Sequence, residues 1–152
     1  MPLTGSIWIV YAISAAVLWG LSYTLTEQLM KKLSIAGVIV TCALGSLLFG
    51  LTLGLAQKSL GRDWALLKQA GGETKLALGC ITVYVAANVF ILLSVKAKNA
   101  TMAGMIEITY PLFTALFAWV LFREAQMGAG TALGGALIVA GVACIYFLDK
   151  TV

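Results

Sequence analysis

The sequence predicts an all-α membrane protein, folded as a single domain over residues 1–152 with five transmembrane helices. The first observation is composition: 61% of the 152 residues are hydrophobic, 11% are charged and the mean hydropathy is +1.00. In a soluble domain about a quarter of the residues are charged. The second observation is that five apolar runs each have about the 20 residues that a helix needs to cross a bilayer core.

The five predicted spans are separated by short joints, which make consecutive helices antiparallel neighbours. The spans cover residues 7–26, 35–56, 76–95, 101–122 and 128–148. The one longer joint, residues 57–75, is predicted to be an amphipathic connector. Within it Asp63 is expected to cap a short helix whose Trp64 lies at the headgroup boundary.

Several absences narrow the function. The chain has no His, and Cys42, Cys80 and Cys144 lie apart without CxxC spacing, so we predict structural thiols and neither a metal site nor a cofactor. Paired acids and nucleophile–base spacings are also missing, so we predict no catalytic residues, and an intramembrane enzyme is the weakest hypothesis. The net charge of +4 is spread singly or in pairs, so the basic residues are expected to meet lipid headgroups and not nucleic acid.

The basic residues are balanced between the two sides of the membrane. One side receives Lys58, Arg62, Lys68, Lys75 and Arg123, and the other receives Lys31, Lys32, Lys96, Lys98 and Lys150, five on each side. The positive-inside rule therefore favours neither orientation. Two interpretations stay open: the connector alone fixes the N-terminus in the cytoplasm, or the chain inserts both ways and pairs with an inverted copy, as inverted repeats do in many transporters.

Glu107 lies inside the fourth span, four residues before Pro111. A charged residue there costs about 2.5–3.5 kcal/mol on insertion scales, so intramembrane acids are functional by default. Helical spacing places Glu107 on one face with Tyr110 and small residues, a face expected to point into the bundle. Pro111 cannot donate to the carbonyl of residue 107, which weakens the helix there. We predict that these three residues bind substrate and proton; the alternative is a structural carboxyl satisfied by a neighbouring side chain.

Further candidates lie on the first and third spans. Trp19 and Tyr23 are one helical turn apart and are placed to stack on an aromatic or cationic substrate, the alternative being core packing or an interfacial belt. On the third span, Tyr84 and Asn88 share a face. Asn88 is predicted either to hydrogen-bond across helices or to contact substrate.

The fifth span is predicted to pack closely against another helix. Its Gly130 and Gly134 form a GxxxG motif, and further small residues follow, among them Ala136 and Gly141. Small residues at four-residue steps let two helix backbones approach each other. We therefore assign this helix to packing or dimerisation.

Two stretches resemble a known family. The sequences "VLWGLSYTL" in the first span and "YPLFTALFAWVLFREAQMGAGTALGGALIVAGVACIYF" across the last two are similar to the EamA-type repeat of the drug/metabolite transporter superfamily. Trp19 and Gly20 match its opening aromatic-Gly signature. Pro111 and Glu124 match its fourth-helix proline and helix-end glutamate, with Arg123 where glycine is common. Glu107 is not part of the general family pattern, so its role rests on the physical argument.

The resemblance also implies an assembly. Most members of the family carry two such repeats in ten spans, whereas this sequence contains one, which implies a half-size transporter that pairs to give ten helices. The basic residue that the family often has early in the second span is absent here.

We therefore expect a secondary transporter of small metabolites or drugs, proton-coupled through Glu107 and alternating between two access states in a dimer. Its partner would be an antiparallel copy of itself or a second five-span homologue, and its location the bacterial cytoplasmic membrane. The alternative function is a non-transporting accessory or scaffold subunit that packs through its glycine-rich helices onto a larger partner.

Overall fold

The structure is a computed structural model that describes residues 7–125 and 127–148, within which all regular structure is α-helical. The described residues form seven helices: α1 (Ile7–Met30), α2 (Ile35–Ala56), α3 (Leu60–Lys68), α4 (Gly72–Ala97), α5 (Ala100–Glu107), α6 (Tyr110–Phe122) and α7 (Ala129–Leu148). Five helical stretches of 20 to 26 residues are long and apolar enough to cross a membrane, α5 and α6 together forming one of them. The prediction of an all-α, five-span membrane protein is therefore confirmed.

The predicted bounds of the spans are close to those of the helices. The second span coincides with α2, and the fifth differs from α7 by one residue at its start. The first and third spans are longer than predicted, since α1 continues to Met30 and α4 runs from Gly72 to Ala97. The reason is that hydropathy marks the hydrocarbon core, whereas a helix continues into the polar headgroup region on either side.

The connector contains the predicted short helix, α3, but the prediction that Asp63 caps it is wrong. The helix begins at Leu60, so Asp63 lies in its first turn and pairs with Arg62 at 3.1 Å. The cap position belongs to Ser59, which makes no side-chain capping bond. The first residue of the helix, Leu60, packs against α2 at Gly54, since a Cβ built on Gly54 would lie 2.5 Å from Leu60 Cδ2.

The fourth span is a discontinuous helix. α5 ends at Glu107 and α6 begins at Tyr110, with a short turn between them. Because Pro111 has no N–H, the Glu107 carbonyl lacks the donor that a continuous helix would provide. The turn is held by Thr109, whose hydroxyl and amide donate to the Ile106 carbonyl at 2.9 and 3.2 Å. The predicted weakening of the helix at the level of the carboxylate is confirmed.

The chain divides into two compact units. Of the described residues, the first contains 7–24, 97–125 and 127–148, and so includes most of α1 together with α5, α6 and α7. Asn99 caps α5 by accepting a hydrogen bond from the Met102 amide at 2.8 Å. Ala103, one turn before Glu107, is buried. The Asn99 cap therefore fixes where α5 begins, on the approach to the acid.

The second unit, Leu25–Lys96, holds the end of α1 with α2, α3 and most of α4. Ser34 caps α2 by accepting a hydrogen bond from the Gly37 amide at 3.1 Å, and Val38 one turn later is fully buried. Organisation as a single domain stays a prediction. Lys150, which enters the charge balance, lies outside the described residues.

Candidate functional site

The Tyr23 hydroxyl donates a hydrogen bond to Oε2 of Glu107. The two residues are 84 positions apart in the sequence, and the bond joins the first span to the fourth within one unit. Tyr23 lies near the end of the part of α1 that belongs to this unit, and Glu107 is the last residue of α5. Both side chains are partly exposed, so the bond does not close the carboxylate off from a ligand.

Gly104 lets the two helices come this close. It lies one turn before Glu107, and a Cβ built on it would stand 3.4 Å from Cδ2 and 3.6 Å from Cε2 of Tyr23. One edge of the tyrosine ring therefore lies close to the α5 backbone at Gly104. A side chain larger than a methyl group at position 104 would displace the ring and separate its hydroxyl from the acid.

Two more aromatic residues complete what we call the Glu107 cluster, formed by Trp19, Tyr23, Glu107 and Tyr110. The Trp19 and Tyr23 ring centroids are 5.8 Å apart with their planes tilted by 47°. Tyr110 begins α6, three residues after Glu107. Trp19 is 55% exposed and Tyr110 63% exposed, so both offer ring surface to a ligand or a partner.

Glu107 is the one charged residue in the helical segments of its unit. Residues 7–24, 100–107, 110–122 and 129–148 contain no Lys, Arg or Asp and no other Glu. The helical segments of this unit thus supply hydroxyl groups and aromatic rings but no positive charge. A carboxylate in such a place is stabilised by taking up a cation or a proton.

The backbone next to Glu107 offers an additional acceptor. Pro111 leaves the Glu107 carbonyl without its helical donor, so a carboxylate and an unwound carbonyl occur at the same residue. In transporters, discontinuous helices present such groups to ions and substrates near the middle of the membrane. Position 107 is about 10 Å along the helix axis from Ala100 at the helical rise per residue.

Of the predicted substrate- and proton-binding residues, the structure brings together Trp19, Tyr23, Glu107 and Tyr110, with Pro111 adjacent in the chain. Tyr84 and Asn88 belong to the other unit. There the Asn88 amide donates to the Tyr84 carbonyl of its own helix at 2.9 Å. Contact of Tyr84 and Asn88 with substrate stays a prediction.

The fifth span does pack through a glycine, but through one that the sequence did not single out. A Cβ built on Gly135 would lie 2.3 Å from Leu112 Cδ2, so α7 touches α6 at this point. By contrast, a Cβ on Gly130, Gly134 or Gly141 would meet no atom within 4 Å. The adjacent glycines at 134 and 135 lie on two different faces of α7, and each face could pack against another helix. Helix periodicity alone does not say which of the two faces contacts another helix of the same chain.

The comparisons with known proteins agree with the five-span architecture. The EamA-like transporter family matches residues 6–147. Comparison with curated proteins and with solved structures found no match. The match spans nearly all of the chain and takes in the five described helices that are long and apolar enough to cross a membrane, up to the last residue but one of α7. This integral, multi-pass membrane protein therefore belongs to the EamA-like transporter family of the drug/metabolite superfamily.

Proposed function

We propose that the protein is a proton-coupled secondary transporter of small metabolites or drugs, in which Glu107 binds a proton and a substrate in turn. The observation that carries the proposal is the Glu107–Tyr23 hydrogen bond beside the break in the fourth span. A structural carboxyl needs only to be satisfied, whereas this one is partly exposed and stands alone among apolar helices. Exchange of a proton for a substrate at one site couples their movements, because the two cannot occupy it together.

The proposed transporter is a dimer in a bacterial cytoplasmic membrane, with the two copies in opposite orientations or with a second five-span homologue as partner. The open glycine face of α7, formed by Gly130, Gly134 and Gly141, supports close approach of another helix. The equal numbers of basic residues on the two sides support insertion in both orientations. Two inverted five-helix units would then alternate access to a shared site.

The coupling is tested in proteoliposomes that contain a pH-sensitive dye. A cation (tetraphenylphosphonium), a zwitterion (tryptophan) and a neutral compound (chloramphenicol) are added outside in turn, and proton movement is recorded. We expect at least one compound to drive proton flux in the wild type and Glu107→Gln to abolish it. Glu73→Gln is the matched control, because Glu73 lies in the first turn of α4, outside the cluster. Undiminished flux in Glu107→Gln would contradict the proposal.

Orientation is tested separately with C-terminal reporters, one active in the cytoplasm and one active in the periplasm. The antiparallel homodimer predicts that both reporters are active in the same strain at comparable expression. Activity of a single reporter would rule out the homodimer and leave the paired homologue. The alternative function, an accessory subunit, predicts that none of the three compounds drives proton flux.

A further inference from the structure

The substrate class follows from the chemistry of the Glu107 cluster. Resting on the proposed function, we propose that the site binds organic cations, monovalent and with an aromatic or other flat apolar body. Glu107 supplies the counter-charge, and the rings of Trp19, Tyr23 and Tyr110 supply the walls.

The sign of the charge is set by the surroundings of Glu107. The helical segments of its unit carry this one negative charge and no positive one. An anionic ligand would meet an uncompensated carboxylate in a medium of low dielectric constant, where like charges repel strongly. A neutral ligand would leave the carboxylate uncompensated or would have to bind together with the proton. A monovalent cation neutralises the site as a proton does, and so can replace it one for one.

The apolar part of the ligand is indicated by the rings. A cation over the face of Trp or Tyr is attracted by the quadrupole of the ring within about 6 Å of the centroid, and Trp gives the strongest attraction. The Trp19 and Tyr23 rings are 5.8 Å apart and tilted by 47°, so they form an open angle and not a closed stack. Trp19 and Tyr110 both keep more than half of their surface exposed, which is the surface that an aromatic cation would cover.

Tyr23 is inferred to be a positioning residue of this site. Its hydroxyl donates to Oε2 of Glu107, and a carboxylate has further lone pairs on Oε1 for an incoming donor or charge. The bond thus holds the carboxylate beside the rings without using all of its acceptors. Loss of the hydroxyl in Tyr23→Phe keeps the ring but releases the acid, and this separates positioning from stacking.

The experiment compares tetraphenylphosphonium with tetraphenylborate, two ions of nearly the same size and shape and of opposite charge. Binding of each to the full-length protein in detergent micelles is measured by equilibrium dialysis, with empty micelles subtracted. We expect saturable binding of the phosphonium, proton release that approaches one per bound ion as the pH is lowered, and no saturable binding of the borate. Where Glu107 is protonated, the apparent Kd should rise tenfold for each unit by which pH falls, because the two cations compete.

Variants assign this binding to the cluster. Glu107→Gln should weaken phosphonium binding at least tenfold and remove the proton release, whereas Glu107→Asp, which keeps the charge, should retain both. Trp19→Ala should weaken binding by about two- to thirtyfold, the range of a single cation–π contact. Trp8→Ala is the control, because Trp8 is exposed on the same helix. Unchanged size-exclusion profiles establish that the variants are folded.

Two results would overturn the cation assignment: saturable borate binding as tight as that of the phosphonium, or unchanged phosphonium binding in Glu107→Gln. The outcome is distinguishable from failure of the transport proposal. If tryptophan or chloramphenicol drives proton flux and the phosphonium neither binds nor drives it, transport stands and the cation class is wrong. If the phosphonium binds at Glu107 but no compound drives flux, the cation site stands and the transport proposal is wrong.

Discussion

Tyr23 of the first span donates a hydrogen bond to Glu107 of the fourth, and Gly104 lets the tyrosine ring lie against the helix that carries the acid. The contact has a defined geometry because each partner is fixed by its own backbone. Tyr23 lies well inside the continuous helix α1, and α5 is fixed at its start by the Asn99 cap. The acid is therefore tied to another helix on one side and to a break in its own helix on the other.

The first prediction is that Tyr23 and Glu107 are energetically coupled. In a double-mutant cycle of Tyr23→Phe and Glu107→Ala, the coupling free energy should be about 0.6 kcal/mol, the average for hydrogen bonds between membrane helices, and at most about 1.7 kcal/mol. The measurement is reversible unfolding in mixed micelles of detergent and SDS. Tyr11→Phe with Glu107→Ala is the control pair, since Tyr11 is largely exposed on the same helix. Additivity of the Tyr23 pair within about 0.5 kcal/mol would show that the bond contributes nothing.

The second prediction separates two adjacent glycines of α7. Gly135→Ala should be less stable than Gly134→Ala by about 1 kcal/mol, the low end of the usual cost of overpacking, because the atom in the way is the end of the flexible Leu112 side chain. The reason is that a Cβ at 135 meets Leu112 at 2.3 Å, whereas a Cβ at 134 meets nothing within 4 Å. Unfolding in the same mixed micelles measures the difference. Adding Leu112→Ala should remove the penalty at 135, and equal stability of the two single variants would contradict the packing.

Much of the architecture could be predicted from the sequence, since length and hydropathy decide which segments cross a membrane. The five spans could be predicted from composition. The break in the fourth helix before Pro111 could be predicted because proline has no N–H to donate. The sequence predicts too late a start for α3, because the packing of Leu60 against Gly54 is a tertiary contact. Local capping preference does not contain that information.

Which faces of the helices contact each other could be predicted only in part. Trp19, Tyr23 and Glu107 were identified as chemically suited to a site, but the meeting of residues 84 positions apart depends on how each helix is rotated. The same limit applies to Gly134 and Gly135, which point about 100° apart around one helix axis. A sequence read one helix at a time shows that a close approach exists and leaves its direction undetermined.

The third prediction concerns Arg123, which ends α6 in the left-handed conformation with φ 59° and ψ 26°. This backbone costs a non-glycine residue about 1–2 kcal/mol, which explains why glycine suits the position. Glycine avoids this cost but loses about 0.5–1 kcal/mol through its greater chain entropy. Arg123→Gly should therefore be more stable than Arg123→Ala by a net of about 0.5–1 kcal/mol. Both variants lose the guanidinium that stands 5.8 Å from the Trp119 ring centroid, so the comparison isolates the backbone. Equal unfolding free energies would show that position 123 is not held in this conformation.

The fourth prediction is that Pro111 lowers the stability of the protein but is needed for transport. Pro111→Ala supplies the missing N–H, so α5 and α6 should join into one helix and the free energy of unfolding should rise, by at most about 3 kcal/mol. Compound-driven proton flux should fall at the same time, because the Glu107 carbonyl then accepts a helical hydrogen bond and the carboxylate turns with the straightened helix.

Pro111→Gly is the matched control for this prediction, since it also supplies the N–H. Glycine favours the helix by about 1 kcal/mol less than alanine, so the flux of Pro111→Gly should lie between those of the wild type and Pro111→Ala. Slow hydrogen exchange of the new amide at position 111 would report the joined helix. Full flux in a Pro111→Ala protein with a protected amide would show that the break is not needed for transport.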